Sequence, residues 1–257
     1  MKKEESRFTA SNIMEGMTSI SALLSAKQNG INDRIIHEIR FDEAKKAKKS
    51  REFSFLRAKC EELHIPLHTT SAEEIEALCI GNTHGGVIAL CGERTLCRLT
   101  SDTLPQNAFL CFLEGIEDPY NFGYALRSLY AAGCDGVLLG ERNWLSAAGV
   151  VARASAGASE ALPLFVGEPR DSLSLLKETG YRVVMAGIRD SVGMYEANLQ
   201  KPIVLVIGGE KRGVSREIAT LADETVRIDY GREFRGSLSA ASAATVLAFE
   251  VLHQNTK

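Results

Sequence analysis

A chain of 257 residues, 45% of them hydrophobic, suffices for one large domain or two ordinary ones around packed apolar cores. The formal net charge of −3 carries no overall signal of a nucleic-acid partner. No apolar run approaches the roughly 18 to 20 residues that span a bilayer, and the opening MKKEESRFTA is too polar for a signal peptide, so a cytoplasmic chain with no membrane partner is expected.

The pattern from residue 11 to 90 alternates between helical and extended. SNIMEGMTSISALLSAK is amphipathic at helical spacing, DRIIHEIRF is extended, and a charged helix is expected from Asp42 to Leu63. PLHTT, SAEEIEALC and the strand-like GGVIALCG follow. This is a smaller α/β domain over residues 1–93. Residues 94–107 lose periodicity and contain Pro105, which predicts a linker. A second domain, 108–257, opens with AFLCFLE, a helix from Asn121 to Ala132, GVLLG, a helix near Trp144 to Ala154, and a helix from Leu173 to Thr179. It continues with YRVVMAG, PIVLVIGG, a helix from Ser215 to Leu221, TVRID and a last helix from Leu238 to His253. Short continuous apolar strands separated by helices predict an α/β fold with a mainly parallel sheet covered on both faces.

The six cysteines, Cys60, Cys79, Cys91, Cys97, Cys111 and Cys134, form no C-x-x-C pair and mostly sit in apolar strings, so they read as reduced core residues. His64 and His68 are four apart but separated by Pro66, which argues against one helical face, and no metal is expected. Arg40 to Lys59 holds eight Lys or Arg against three acids. Such a segment serves either as a phosphate-neutralising patch or as a solvated helix face.

In parallel sheets ligands collect where loops and helix N-termini follow strand carboxyl ends. Three loops satisfy that rule: EGIEDPYNFG after AFLCFL, GGEKRGVS after PIVLVI, and DYGREFRGSLSA after TVRI. Gly208 to Gly213 has phosphate-loop spacing, but Val214 stands where that motif needs Lys. No G-x-G-x-x-G follows a strand, and neither G-x-S-x-G nor H-E-x-x-H occurs, which leaves dinucleotide, serine-hydrolase and zincin chemistry without support.

Three strings remain, in a fixed order: EGIEDPYNFGYALRS (Glu114 to Ser128), IGGEKRG (Ile207 to Gly213) and RIDYGREFRGSLSAASAA (Arg227 to Ala244). Together they resemble the three motifs of the SpoU/TrmH-type RNA methyltransferases of the SPOUT superfamily, and VARASAGASE (Val151 to Glu160) resembles the segment between the first two. The N-terminal part, through GMTSISALL and THGGV (Thr83 to Val87), is similar to that family's L30e-like substrate-binding domain. The resemblance implies a C-terminal trefoil knot, S-adenosyl-L-methionine as cofactor, tRNA or rRNA as partner, methylation of a ribose 2′-hydroxyl, and a homodimer with its active site near the subunit interface. Periodicity does not encode the knot.

It also implies residue roles. Asn121, otherwise a helix N-cap, and Arg127, otherwise an exposed cation, fall in the active site. Glu210 is a motif residue of that site. Gly208, Gly209 and Gly213, which also suit a tight strand-to-helix turn, bring backbone close to adenine and ribose. Ser237, otherwise an N-cap for the last helix, faces the reacting site and contributes to cofactor binding, while the backbone at Ile228 and Leu238 holds the cofactor. The chain departs from the family's S-L-N at Ser237-Leu238-Ser239, where a hydroxyl replaces a carboxamide, and the GREFRG loop adds Arg232 and Arg235. A guanidinium is a hydrogen-bond donor with no acceptor and an unusual base, so the task of Arg127 is either nucleophile activation or phosphate positioning. Two other readings stand beside the enzyme: an RNA-binding or ribosome-assembly protein that keeps the fold without catalysis, and a parallel-sheet enzyme that takes a nucleotide or phosphate at GGEKRG.

Overall fold

The computed structural model describes residues 12–79, 83–140 and 147–256. The opening decapeptide and Trp144 lie outside them. The described chain forms two compact units. In order, its elements are β1 (Ile13–Glu15), α1 (Met17–Gln28), β2 (Ile36–Asp42), a 3-10 turn (Glu43–Lys45), α2 (Ser50–Glu62), β3 (Leu67–Thr70), α3 (Ala72–Glu76) and β4 (Val87–Cys91). They continue with β5 (Cys97–Arg98), β6 (Phe109–Glu114), α4 (Pro119–Ala131), β7 (Gly136–Leu139), α5 (Ala148–Ala154), α6 (Ala158–Ala161), β8 (Leu164–Val166) and α7 (Pro169–Glu178). Last come β9 (Arg182–Ala186), β10 (Val192–Gly193), β11 (Ile203–Gly208), α8 (Arg216–Ala219), β12 (Glu224–Arg227) and α9 (Ala240–Asn255).

The first unit takes in the described residues within Met1–Thr95 and Asn143–Ala161. Its sheet runs β1-β4-β2-β3, with β4 antiparallel to both neighbours and β3 parallel to β2. Every residue of β4 is buried, as a central strand covered on both faces requires. The segment expected as one helix from residue 11 divides at Gly16. Its φ of +84° is a conformation that favours glycine, so Ile13–Glu15 pairs with β4 and the helix starts at Met17.

Asn143–Ala161 follows a strand of the second unit in sequence, yet its described part packs in the first. Ala148 and Ala152 join the core of Met14, Ile20, Leu24 and Phe41, and a Cβ on Gly157 would fall 2.3 Å from that of Ala22. The polar anchor is Arg34 against Glu160, each 2% exposed. Arg34 Nε donates to Glu160 Oε2 at 3.0 Å and Nη2 to Oε1 at 3.2 Å, while Nη1 donates to the Gly92 carbonyl at 2.8 Å. Asn32 Nδ2 adds a hydrogen bond to Glu160 at 2.5 Å. A buried pair so fully bonded persists, but removing one partner strands a charge.

The basic segment is largely self-neutralised. Arg40, Lys45, Lys46, Lys49 and Lys59 pair with Glu38, Asp42, Glu43, Glu52 and Glu62, and Lys48, Arg51 and Arg57 are exposed. Such surface pairs contribute little stability.

The second unit takes in the described residues within Leu96–Arg142 and Leu162–Lys257. Its eight strands run β10-β12-β9-β11-β6-β7-β8-β5, and every pairing is parallel. Alternate residues of β6 and β11 serve opposite faces. Leu110, Phe112, Val204 and Val206 share a cluster with Leu173 and Leu176 of α7 and Ile218 of α8. α9 packs against β11 and α4. Cys97–Arg98, expected in a linker, pairs with β8 and forms the sheet edge. Its two residues are too few to show periodicity.

Two cap assignments shift. Asp118, not Asn121, caps α4, accepting the N–H groups of Tyr120 and Asn121, with Pro119 in the first turn. Ser239, not Ser237, caps α9, accepting the Ser242 N–H at 3.2 Å. One cysteine also departs from expectation: Cys60, Cys91, Cys111 and Cys134 are buried and Cys79 partly so, but Cys97 is exposed. Burial pushes the thiols of Cys91 and Cys134 up to about 12.

Since alkylation requires accessible thiolate, limited iodoacetamide treatment at pH 8 is expected to label Cys97 first. Peptide mapping that finds Cys111 or Cys134 labelled as fast in folded protein would contradict the burial. Arg34→Ala is expected to lower unfolding free energy by about 3–5 kcal/mol in urea titration. A loss below about 1 kcal/mol would show that the pair is not an anchor.

Candidate functional site

β6 and β11 pair in register from Phe109 opposite Ile203 to Glu114 opposite Gly208, so their carboxyl ends finish side by side. The backbones then converge further than any side chain allows. A Cβ on Gly209 would lie 2.2 Å from the Gly115 carbonyl oxygen, and one on Gly208 would lie 2.2 Å from the Gly213 carbonyl carbon. Gly213 adopts a φ of +63° and donates its N–H to the Gly209 carbonyl at 2.8 Å, closing the turn. Glu114 at the end of β6 accepts the Ser215 N–H at 2.9 Å, which ties the far end of this turn to the neighbouring strand. The glycines are therefore required by packing of the turn itself.

Two cavities open around it. The larger, of about 880 Å³, is lined by Gly187, Ile188 and Arg189 after β9, by Gly208, Gly209, Glu210 and Gly213, by Ile228 to Tyr230 after β12, by Phe234 to Leu238, and by Ala240, Ala243 and Leu247 of α9. The smaller, of about 400 Å³, lies between Gly115 to Pro119, Asn121 and the Glu210-Lys211 pair. Glu210 borders both. Its Oε1 accepts Asn121 Nδ2 at 2.8 Å, and Lys211 Nζ meets Glu117 Oε2 at 2.7 Å, so two contacts bridge the first and second loops.

Seven of the residues singled out in the sequence, Gly208, Gly209, Glu210, Gly213, Ile228, Ser237 and Leu238, line the larger cavity. Asn121 lines the smaller. With Asp118 serving as the cap, its carboxamide is left to hold Glu210. Arg127 stands apart: it is exposed on α4 and lines neither cavity. Ser239 is engaged as the α9 cap.

The loop after β9 was missed in the sequence, although the strand-end rule that selected the other three applies equally to GIRD after YRVVMA. Glu114 and the Lys211–Glu117 pair were also missed. Only the strand register shows that those groups meet. The larger cavity carries Arg189, Arg212, Arg227 and Arg235 against Glu210 and Asp229. Arg227 is committed to Asp229 at 2.7 Å and to the Ser191 carbonyl at 2.6 Å. The rim is cationic on a chain of net charge −3. Among the described residues no group of three or more His, Cys, Asp or Glu is placed to hold a metal, and no helix is long and apolar enough to cross a membrane.

Residues 108–249, more than half of the chain, match the model of the SpoU rRNA Methylase family. The 23S rRNA (guanosine-2'-O-)-methyltransferase RlmB of a Burkholderia species is 28% identical over 249 residues, covering 95% of this chain and 97% of the relative. The protein of the same name from Shewanella oneidensis is 29% identical and covers 73% of this chain and 78% of its own. Among solved structures, the AdoMet-bound rRNA methyltransferase of Sinorhizobium meliloti superposes with a TM-score of 0.78 over 95% of this chain and 88% of its own, at 22% identity, a likeness of fold. The family match takes in both cavities' linings and all three ordered motifs of the second unit together with Asn143–Ala161 of the first, and the chain belongs to the SpoU rRNA methylase family.

Proposed function

We propose that this RNA methyltransferase transfers a methyl group from S-adenosyl-L-methionine to a ribose 2′-hydroxyl of ribosomal RNA. The observation that carries the reading is Glu210, shared by a large cavity and a smaller cleft and held by Asn121 from the neighbouring strand's loop. Transfer between two ligands needs two adjoining sites fixed relative to each other.

The larger cavity fits the cofactor. A volume of about 880 Å³ lies within the range of small-molecule sites, and apolar walls at Ile207, Val226, Leu238 and Leu247 adjoin backbone groups at Ile228 and the glycine turn. Gly208, Gly209, Gly213, Ile228, Ser237 and Leu238 would hold it. When bound, its sulfonium supplies an electrophilic methyl group. The chain's part is alignment: the glycine turn, fixed by Glu114 and Ser215, sets one wall, and Glu210 with Asn121 sets the boundary toward the cleft that takes the ribose. Ser237 faces the cavity without a capping task, which leaves its hydroxyl for the reacting groups.

Arg127 serves as a charge clamp on the RNA backbone, since its exposed guanidinium offers paired N–H groups that match a phosphate. It reaches a site through dimerisation. On α4, Tyr120, Tyr124 and Tyr130 are 43%, 49% and 52% exposed on the side that also carries Arg127. A second copy covering this aromatic stripe would bury it and place Arg127 at the interface. The proposed assembly is a homodimer that acts on ribosomal RNA in the cytoplasm.

The direct test is incubation with methyl-labelled S-adenosylmethionine and ribosomal RNA, followed by alkaline hydrolysis, which a 2′-O-methyl group blocks at its own linkage. Label in an alkali-resistant dinucleotide is expected. Cofactor binding without incorporation would favour a non-catalytic RNA-binding protein. Arg127→Ala is expected to reduce transfer by roughly 100-fold or more while calorimetric cofactor affinity stays within about twofold; full activity would remove Arg127 from the mechanism. Sedimentation should give twice the 28.0 kDa chain mass for wild type, and Tyr124→Glu should shift it to the monomer. A wild-type monomer would contradict the assembly.

A further inference from the structure

After β12 the chain reads DYGREFRGSL, from Asp229 to Leu238, two aromatic residues interleaved with two arginines. Phe234 is 57% exposed and Tyr230 39% exposed. Their rings meet edge to face, with centroids 5.7 Å apart and planes at 65°. Tyr230 Oη accepts the Leu238 N–H at 3.2 Å, joining the two ends of the loop. The Phe234 ring also lies over Gly236, where a Cβ would come within 2.6 Å of Cζ. The rings are thus presented by internal contacts of the loop rather than drawn into a core. Tyr230, Phe234 and Arg235 line the larger cavity, so the exposed rings stand on its rim. Arg232 and Arg235 are exposed beside them, and Asp229 is committed to Arg227, which leaves Glu233 as the loop's only acid without that commitment.

We propose that this loop is the base-holding wall of the RNA site: Phe234 stacks on an unpaired base of the substrate RNA, while Arg232 and Arg235 bind the adjoining phosphates. The inference rests on the RNA methyltransferase reading above and names how that substrate is gripped. Recognition of single-stranded RNA pairs aromatic faces, which accept any base, with cationic groups spaced along the backbone. The loop offers both within six residues, on the edge of the cavity assigned to the cofactor. A wall serving only the cofactor would bury the ring and would not need two solvated guanidinium groups.

Two binding measurements test the loop separately from catalysis: polarisation of a fluorescein-labelled single-stranded RNA oligonucleotide, and calorimetry with S-adenosylmethionine. Phe234→Ala should weaken RNA binding roughly 5- to 150-fold, Phe234→Leu should behave like alanine because it lacks a π face, and Phe234→Tyr should retain affinity. Arg232→Ala with Arg235→Ala should lower the dependence of log affinity on log salt by about 1.4. Cofactor affinity should stay within about twofold in all four. RNA affinity unchanged in Phe234→Ala, or a loss confined to cofactor affinity, would overturn the proposal and assign the loop to the cofactor. Loss of RNA binding in Phe234→Leu with full retention in Phe234→Ala would overturn stacking. A wild-type chain that neither binds nor methylates RNA would overturn the functional reading and the proposal with it, whereas wild-type transfer with unaltered loop variants would overturn the proposal alone.

Discussion

The site depends on one backbone constraint: the parallel register that sets Glu114 of β6 opposite Gly208 of β11. From there the continuations of the two strands run so close that Gly209 has no room for a side chain beside the Gly115 carbonyl. The approach puts the loop after β6 and the loop after β11 in reach of each other, so Asn121 meets Glu210 and Glu117 meets Lys211. A slip of the register would separate both pairs and divide the boundary between the cavities. The glycines that permit this approach are thus the ones proposed to hold the cofactor, and Glu114 secures the turn through the Ser215 amide.

The first unit shows a different solution to a similar demand. Asn143–Ala161 follows β7 of the second unit in sequence, but its described part is held in the first by packing of Ala148 and Ala152 and by the buried Arg34–Glu160 pair. A hydrophobic contact alone would hold these short helices without choosing their orientation. The bidentate guanidinium, with Gly92 and Asn32 as further partners, selects one.

Much of this was legible in the sequence because parallel strands are buried on both faces. FLCFLE and IVLVIG read as continuous apolar runs, and the structure places them together at the middle of the eight-stranded sheet. The ordered strings around Asn121, Gly208 and Ser237 marked the loops that surround the cavities. What escaped was short or conformational. β5 and β10 have two residues each and no periodicity, and the strand ahead of α1 was hidden because Gly16 breaks an otherwise helical pattern. Caps were misjudged by two or three residues, since Asp118, Asn121, Ser237 and Ser239 are all chemically able to cap and only backbone geometry chooses among them. Fragments 138 residues apart in sequence, such as Glu15 and Arg153, meet with nothing local to announce it.

Ser239, where the family pattern has Asn, has a structural task. Its hydroxyl accepts the Ser242 amide and starts α9, while Ser237 remains on the cavity wall. The central claim is methylation of a ribose in ribosomal RNA, and it is tested most directly by mapping 2′-O-methyl positions in ribosomal RNA from cells with and without this chain. The account predicts that a defined position loses its methyl group in the absence of the protein and regains it with the wild-type chain, but not with Arg127→Ala. Identical maps in the two RNA preparations would contradict it.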